Sequence, residues 1–182
     1  MRAGDDAESA FTRLYDQHRR ALYAYLLGRT ADAEIARDLL QETFLRLWRH
    51  FSAIRTQPPE RQRGWVFGVA RNLVIDMHRH RKSRDSAHAA LRAAAETTAP
   101  ASEEPAARAE LAERVRLVEK AIRGLREEQR VVVALHAMGD LTSAQIGELL
   151  GEPAGTVRYR LSLARRRLGE VLGAAALPGD GA

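Results

Sequence analysis

The chain contains no cysteine. This absence excludes disulfide bonds, thiolate metal sites and a cysteine nucleophile, and it fits a reducing compartment. The sequence also has no run of about 18 apolar residues, so it predicts no segment that crosses a membrane. Its first eight residues are acidic and polar, unlike the basic and then apolar start of a signal peptide. We therefore expect a cytoplasmic protein that does not insert into a membrane.

Lysine, glycine and proline are scarce as well. Lys82 and Lys120 are the only lysines, so arginine carries nearly all of the positive charge. The net charge of +5 favours a polyanionic partner, because nucleic acid releases counterions when clustered cations bind it. With 13 glycines, 6 prolines and helical periodicity, the sequence does not suit an all-β fold. It shows no glycine-rich phosphate loop, activated nucleophile, convergent carboxylate pair or histidine cluster, so we expect no enzyme, cofactor or metal site.

The segment over 141–168 predicts a helix, a tight turn and a second helix. Thr142 suits the N-cap of the first helix, and Gln145 three residues later completes a capping box. Gly151 tolerates the left-handed conformation that commonly ends a helix. Pro153 suits the first position of the second helix, where its missing N–H costs nothing. Together these signals predict a helix-turn-helix unit.

The second helix of this unit is apolar on one side and basic on the other. Its inward stripe has helical spacing and consists of Val157, Leu161, Ala164 and Leu168. From Thr156 to Leu168 it carries five arginines and no acidic residue. Such a basic face is built to enter a DNA major groove, although a helical hairpin with a solvated basic face has the same pattern. The predicted contacts to duplex DNA are Thr156, Arg158, Tyr159, Arg160, Ser162, Arg165 and Arg166.

Three zones divide the chain. Residues 8–81 and 110–172 have apolar residues at helical spacing, whereas residues 82–109 contain only one large apolar side chain, Leu91. The middle zone cannot bury enough surface to offset its ordering entropy, although transient helix around 88–96 is an alternative. We predict an all-α fold of two small helical domains joined by a flexible linker over 82–109. About 28 linker residues reach roughly 95 Å when extended, which exceeds two turns of B-DNA at about 70 Å.

One helix of the first domain has an unusual outward face. Its apolar stripe runs from 36 to 51, includes Trp48, and is expected to face the core. The opposite face carries Asp38, Gln41, Glu42 and Leu45. A leucine among two acids and an amide indicates a docking surface for a partner with arginine or lysine, although single exposed leucines are common.

The segment after this helix is rich in basic and aromatic residues. Pro58 and Pro59 predict a loop over 52–63. A helix over 64–81 should follow, and its predicted inward side is Trp65, Val69, Leu73 and Asp76–Met77. Aromatic rings, an amide and cations suit unstacked single-stranded bases, although Trp65 and Phe67 also suit the core. The candidate contacts to single-stranded DNA are Arg61, Arg63, Trp65, Arg71, Asn72, Arg79 and Arg81.

With both domains considered, the chain resembles the extracytoplasmic-function (ECF) sigma factors, the short two-domain class of the sigma-70 family. Residues 38–48, Asp-Leu-Leu-Gln-Glu-Thr-Phe-Leu-Arg-Leu-Trp, resemble the region 2 helix that docks on the clamp helices of bacterial core RNA polymerase. Residues 65–76, Trp-Val-Phe-Gly-Val-Ala-Arg-Asn-Leu-Val-Ile-Asp, are similar to the segment that melts and reads the −10 promoter element. Residues 125–168 resemble region 4, which reads the −35 element as duplex.

The resemblance implies that Asp38, Gln41, Glu42 and Leu45 bind polymerase, that the single-stranded contacts read the −10 element, and that the helix-turn-helix reads the −35 element. The implied function is promoter recognition, DNA melting and transcription initiation with core RNA polymerase. Promoter DNA and, as often in this family, an anti-sigma factor are the other expected partners, and the free protein is expected to be monomeric. Tyr159 stands where the family usually has a small residue, so no −35 sequence is inferred.

The alternative is a conventional helix-turn-helix regulator that binds palindromic DNA as a dimer. Its C-terminal half would have the same pattern. The helix over 38–48 lacks the self-complementary apolar face that such a dimer needs, so we favour the sigma factor.

Overall fold

The computed structural model describes residues 3–88 and 117–173. No strand occurs in these ranges, which agrees with the all-α prediction. In chain order the helices are α1 (Ala3–Thr30), α2 (Ala33–Arg49), α3 (Phe51–Ile54), α4 (Pro59–His88), α5 (of which residues 117–123 are described), α6 (Glu127–Ala137), α7 (Ser143–Leu150) and α8 (Ala154–Leu172).

The N-terminal unit is a bundle in which α1, α2 and α4 pack on one another. The Asp32 carboxylate accepts hydrogen bonds from the backbone N–H groups of Glu34 and Ile35 at 3.0 and 3.1 Å, so it caps the start of α2. The centre of the bundle is made of fully buried side chains, among them Leu22, Leu26, Leu47 and Val66. This bundle holds the outward face of α2 and the length of α4 in place.

The C-terminal unit forms the predicted helix-turn-helix from α7 and α8. Thr142 and Gln145 make the capping box, and Gly151 has the left-handed φ of 71°. A Cβ added at Gly147 would lie 2.6 Å from the backbone oxygen of Glu152, so a glycine lets the turn fold back onto α7. Pro153 is the N-cap of α8 and not its first helical residue, one position from the prediction. The inward stripe of α8 is buried as predicted.

The predicted loop over 52–63 is wrong for most of its length. Phe51 and Ile54 are buried in the short α3, and α4 already begins at Pro59. Proline suits the first turn of a helix because no intrahelical partner awaits its N–H there. The Gln62 side-chain amide donates to the carbonyl of Gln57 at 2.7 Å, which ties the remaining loop to α4.

At its other end α4 continues to His88, seven residues into the predicted linker. Residues 82–88 contain no proline or glycine, and a scarcity of apolar side chains does not by itself stop backbone hydrogen bonding. The remainder of the predicted linker, 89–109, lies outside the described residues.

The residues buried on the inward side of α4 are shifted by one position along the chain from most of the predicted ones. Val66, Phe67, Ala70, Leu73 and Val74 are buried, whereas Trp65, Val69 and Met77 are half-buried and Asp76 is exposed. Both sets have helical spacing, but the predicted set would bury the Asp76 carboxylate. The observed set buries only apolar side chains, which avoids the cost of desolvating a charge.

The two helical units also contact each other. Helix α6 packs against α1 as well as α8, and the buried apolar residues of both units form one continuous cluster. The sequence patterns predicted two units joined by a flexible linker and did not predict this contact.

Candidate polymerase and promoter interfaces

The outward face of α2 is accessible to a partner. Asp38 and Gln41 are exposed, and Leu45 leaves 44% of its surface in water. Glu42 is half-buried, and the Nε of Arg46 donates to its carboxylate at 2.7 Å. The structure therefore brings the four predicted docking residues together on one helix face, with Glu42 held in a defined position.

An apolar groove lies beside this face and was not predicted. It has a volume of about 330 Å³. Trp48, which is 51% exposed, contacts Phe11 edge-on with ring centroids 4.9 Å apart. The lining residues are Phe11, Tyr15, Arg37, Leu40, Gln41, Phe44, Leu45 and Trp48.

The assignment of Trp48 to the core is therefore wrong. Phe44, Leu47 and Phe51 are buried beside α2, so the larger indole ring lies at the edge of the core. Leu45 and Trp48 are three positions apart and share a helix face. This spacing is the signal in the sequence from which the groove could have been found.

The candidate contacts to single-stranded DNA divide between two sides of α4. The members of the first group are spaced so that they share a side of the helix, and they are Arg61, Trp65, Asn72 and Arg79. Arg61, Asn72 and Arg79 are exposed, and Arg79 lies 3.8 Å from the Asp76 carboxylate. Trp65 is half-buried beside the ring of His50 at 5.8 Å. The side chain of Arg81 lies outside the described residues.

Arg63 and Arg71 lie on the second side of α4, which faces the C-terminal unit. They line a cavity of about 450 Å³ whose other wall includes residues 148–150 of α7. A guanidinium nitrogen of Arg63 also donates to the carbonyl of Gln145 in α7 at 3.4 Å. Arg63 is half-buried and Arg71 is exposed, so both lie on a different side of α4 from the first group.

A buried histidine lies close to Arg63. His18 is 6% exposed, its Nε2 has no hydrogen-bond partner among the described residues, and its ring lies 6.4 Å edge-on from that of Phe67. Burial lowers the pKa of His18, and the positive charge of Arg63 lowers it further. The imidazole is therefore neutral in the folded protein at neutral pH.

The outward side of α8 presents four of the predicted duplex contacts. These residues are exposed, and they are Arg158, Tyr159, Ser162 and Arg166. Tyr159 leaves 64% of its surface in water. A phenol between arginines combines donors for phosphate and base edges with a flat apolar surface.

Three other predicted residues of α8 are less available. Thr156 and Arg165 are half-buried, and a guanidinium nitrogen of Arg165 lies 3.4 Å from Nε2 of His136. Arg160 donates to the Glu152 carboxylate at 2.5 Å, and its side chain is only 25% exposed. This pair fastens α8 to the preceding turn, so the charge of Arg160 is already engaged within the unit.

Among residues 3–88 and 117–173, no helix is both long enough and apolar enough to span a membrane. The same ranges contain no group of three or more histidine, aspartate or glutamate side chains arranged to hold a metal ion.

Comparison with known proteins places these surfaces in a family. Residues 14–84 match the family description Sigma-70 region 2, and residues 115–168 match Sigma-70, region 4. The ECF RNA polymerase sigma factor SigL of Mycobacterium tuberculosis is 37% identical over 164 residues, which cover 89% of each protein. The RNA polymerase sigma factor CarQ of Myxococcus xanthus is 29% identical over 170 residues, or 93% of this chain and 92% of CarQ.

A solved structure shares the fold. In the complex of the sigma factor RpoE with the anti-sigma factor NepR from Bartonella quintana, the matched chain is 21% identical and superposes with a TM-score of 0.64. The match covers 91% of this chain and 98% of that chain. From its two sigma regions and its similarity to SigL over nearly the whole length, this chain belongs to the ECF sigma factors of bacterial RNA polymerase.

Proposed function

We propose that this sigma factor acts through three separate surfaces. The α2 face binds core RNA polymerase, the exposed side of α4 binds the melted −10 element, and the exposed side of α8 binds the duplex −35 element. Membership in the family establishes the general function, which is promoter recognition and transcription initiation with core polymerase. The same membership favours this function over that of a dimeric helix-turn-helix regulator.

The observation that carries the proposal is the exposed apolar surface on α2. Leu45 and Trp48 leave 44% and 51% of their surfaces in water, directly beside the groove. A contiguous apolar patch of this kind becomes favourable when a partner helix covers it. Asp38 and Glu42 then select a partner that presents basic residues. We assign polymerase binding to Asp38, Gln41, Glu42 and Leu45, and we add Trp48.

For the −10 element, the exposed side of α4 supplies the contacts that a single strand requires. Arg61 and Arg79 neutralise phosphates, Trp65 offers a ring for stacking, and Asn72 offers an amide for base edges. Arg63, which is half-buried against α7, and Arg71, which is exposed, are assigned to the same element from the other side of α4. Arg81 is assigned to the same element.

For the −35 element, we assign Arg158, Tyr159, Ser162 and Arg166 to direct DNA contacts. Thr156 and Arg165 lie at the edge of this surface and reach DNA from there. Arg160 is assigned a positioning role, because its bond to Glu152 orients the start of α8. This division follows the burial and pairing of each side chain.

The remaining parts of the proposal follow from the family. The chain carries out no bond chemistry itself, works in the cytoplasm and is monomeric when free. The relatives RpoE and CnrH were solved in complexes with NepR and CnrY, so an anti-sigma factor is proposed as a regulator of this chain also. Region 2 is assigned to 8–81, the linker to 82–109 and region 4 to 110–172, and α4 extends from region 2 into the linker as far as His88.

The test is a titration of fluorescently labelled full-length protein against bacterial core RNA polymerase. Glu42→Lys reverses a charge on the proposed face and breaks the pair with Arg46, so it should weaken core binding strongly. Asp16→Lys is the matched control, because it makes the same charge change and breaks a surface pair with Arg19 on α1. The control should bind core as the wild type does.

Two results would contradict the proposal. Equal core affinity for Glu42→Lys and the wild type would remove the α2 face from the polymerase interface. Failure of the wild type to bind core, together with dimeric binding to duplex DNA, would favour the conventional regulator.

A further inference from the structure

His136 lies where the end of α6, the loop before α7 and one edge of α8 meet. It belongs to the last turn of α6 and is half-buried. Its Nδ1 donates to the carbonyl of Leu141 at 3.0 Å, and a guanidinium nitrogen of Arg165 in α8 lies 3.4 Å from its Nε2. One side chain therefore connects three segments of the C-terminal unit.

The two partners fix the chemical form of the imidazole. A backbone carbonyl can only accept a hydrogen bond, so the ring proton is assigned to Nδ1. A guanidinium can only donate, so Nε2 presents its lone pair to Arg165. Both conditions hold in the neutral tautomer that carries its proton on Nδ1. In this form the bond to Leu141 orients the ring, and the ring points an acceptor at the guanidinium.

The carbonyl that orients the ring is itself held in place. The backbone N–H of Leu141 donates to the carbonyl of Leu135 at 3.3 Å, so the loop folds back onto the last turn of α6. A Cβ added at Gly139 would lie 2.5 Å from the same Leu135 oxygen, so glycine permits this close return. Thr142, the next residue after Leu141, is the N-cap of α7. The Leu141 carbonyl therefore has a fixed position between two helices.

Arg165 lies on the edge of α8 that faces α6. It is seven positions after Arg158, which places the two arginines on the same edge of the helix, two turns or about 10 Å apart. Arg158 is exposed, whereas Arg165 is half-buried where α6 packs on α8. An arginine side chain has many rotamers, and holding it in one of them before DNA arrives reduces the entropy lost on binding.

The neutral character of His136 distinguishes this contact from the other polar contact of α8. Arg160 donates to the carboxylate of Glu152, whose negative charge opposes the attraction of the guanidinium for phosphate. A neutral imidazole accepts a hydrogen bond without contributing a negative charge. His136 can therefore orient Arg165 and leave its attraction for phosphate intact.

We propose that His136 is a positioning residue for −35 recognition, which holds the Arg165 guanidinium at the edge of α8 for contact with a DNA phosphate. The inference rests on the proposed function, because that function assigns Arg165 to DNA. Phosphate contacts fix the orientation of a recognition helix on the duplex and carry no sequence information of their own. His136 therefore acts on the affinity for the −35 element.

Two substitutions separate the roles of the two ring nitrogens. Asparagine places its side-chain amide near the position of Nδ1, so His136→Asn keeps the donor to Leu141 and removes the acceptor for Arg165. Glutamine places its amide oxygen near the position of Nε2, so His136→Gln keeps that acceptor. His136→Leu keeps apolar bulk, removes both nitrogens and replaces the asparagine variant in the comparison if the latter does not fold.

The assay uses the full-length chain bound to core polymerase. Its probe is fluorescent promoter DNA selected by the wild-type complex from a library randomised at the −35 element. His136→Asn should raise the Kd about two- to tenfold, and His136→Gln should recover most of the wild-type affinity. Arg165→Ala should raise the Kd at least as much and lower the slope of log Kd against log salt by about one. Arg167→Ala, the matched charge loss on the other side of α8, should change both much less.

The double variant decides whether His136 acts through Arg165. His136→Asn should have no further effect in the Arg165→Ala background, because the group that it positions is absent. An equal loss with and without Arg165, or wild-type affinity of His136→Asn beside a weakened Arg165→Ala, would overturn the positioning role alone. Wild-type affinity and salt slope in Arg165→Ala would refute the DNA contact assigned to Arg165 in the proposed function and the positioning role with it.

Discussion

Leu45 and Leu47 lie two positions apart in α2 and have opposite environments. Leu47 is completely buried in the N-terminal bundle, whereas Leu45 leaves 44% of its surface in water. Substitution of each by alanine removes the same atoms from the same helix. The pair therefore separates a contribution to folding from the contribution to polymerase binding that we propose for Leu45.

The expected magnitudes follow from burial. Leu47→Ala removes a fully buried side chain and should lower the free energy of unfolding by about 2–5 kcal/mol. Leu45→Ala should change it by less than about 0.5 kcal/mol, as is usual for surface substitutions. Full burial of a leucine contributes about 1.5–3 kcal/mol, so covering the exposed 44% contributes about 0.7–1.3 kcal/mol to docking. The Kd for core polymerase should then rise about three- to tenfold in Leu45→Ala.

Two measurements check this prediction. Urea unfolding followed by circular dichroism gives the stabilities, and titration of labelled protein against core polymerase gives the affinities. Leu47→Ala should bind core as the wild type does under conditions where it is folded. An unchanged Kd for Leu45→Ala, or a loss of stability in that variant as large as in Leu47→Ala, would refute the assignment of Leu45 to an exposed docking surface.

Two further predictions concern α8 and the buried histidine. If Arg158 contacts a base, Arg158→Ala should reduce transcription from a promoter with an intact −35 element by about 5- to 150-fold. Arg167→Ala removes an equal charge on the other side of α8 and should have little effect. Equal activity of Arg158→Ala on intact and scrambled −35 elements would count against base contact. The pKa of His18 in the folded chain lies below its ordinary value of 6.5. The unfolded chain therefore binds more protons than the folded chain, and the free energy of unfolding decreases as pH falls below 6.5. Between about pH 7.5 and pH 5, urea unfolding should therefore show a smaller decrease in the free energy of unfolding for His18→Gln than for the wild type. Equal decreases in the two proteins would contradict the burial of a neutral imidazole.

Features that depend on neighbouring residues were predicted from the sequence with few errors. The capping box of Thr142 and Gln145, the left-handed Gly151 and the buried stripe of α8 each involve residues a few positions apart. The outward face of α2 was also predicted, because its polar residues lie on the side of the helix opposite a regular apolar stripe. Such signals are local, so a single sequence contains them completely.

The errors arose where two local patterns were equally regular. In α4 the sets that begin at Trp65 and at Val66 both have helical spacing, and packing on α1 and α2 selects the one without a buried carboxylate. Trp48 fits the apolar period of α2, but the space beside α2 is taken by other side chains. In both cases the choice depends on the shape of the core, which the spacing of residues does not specify.

The helix-turn-helix, the outward face of α2 and membership in the ECF sigma factors follow from residue patterns within single helices. The division of the α4 arginines between two sides, the engagement of Arg160 by Glu152 and the packing of α6 against α1 do not. Arg29 of α1 donates to Glu127 of α6 across 98 positions of the chain, and Arg130 of α6 donates to the carbonyl of Gly28 across 102, so no periodicity connects them. Such pairs form only because the folded units present complementary donors and acceptors at the same point in space.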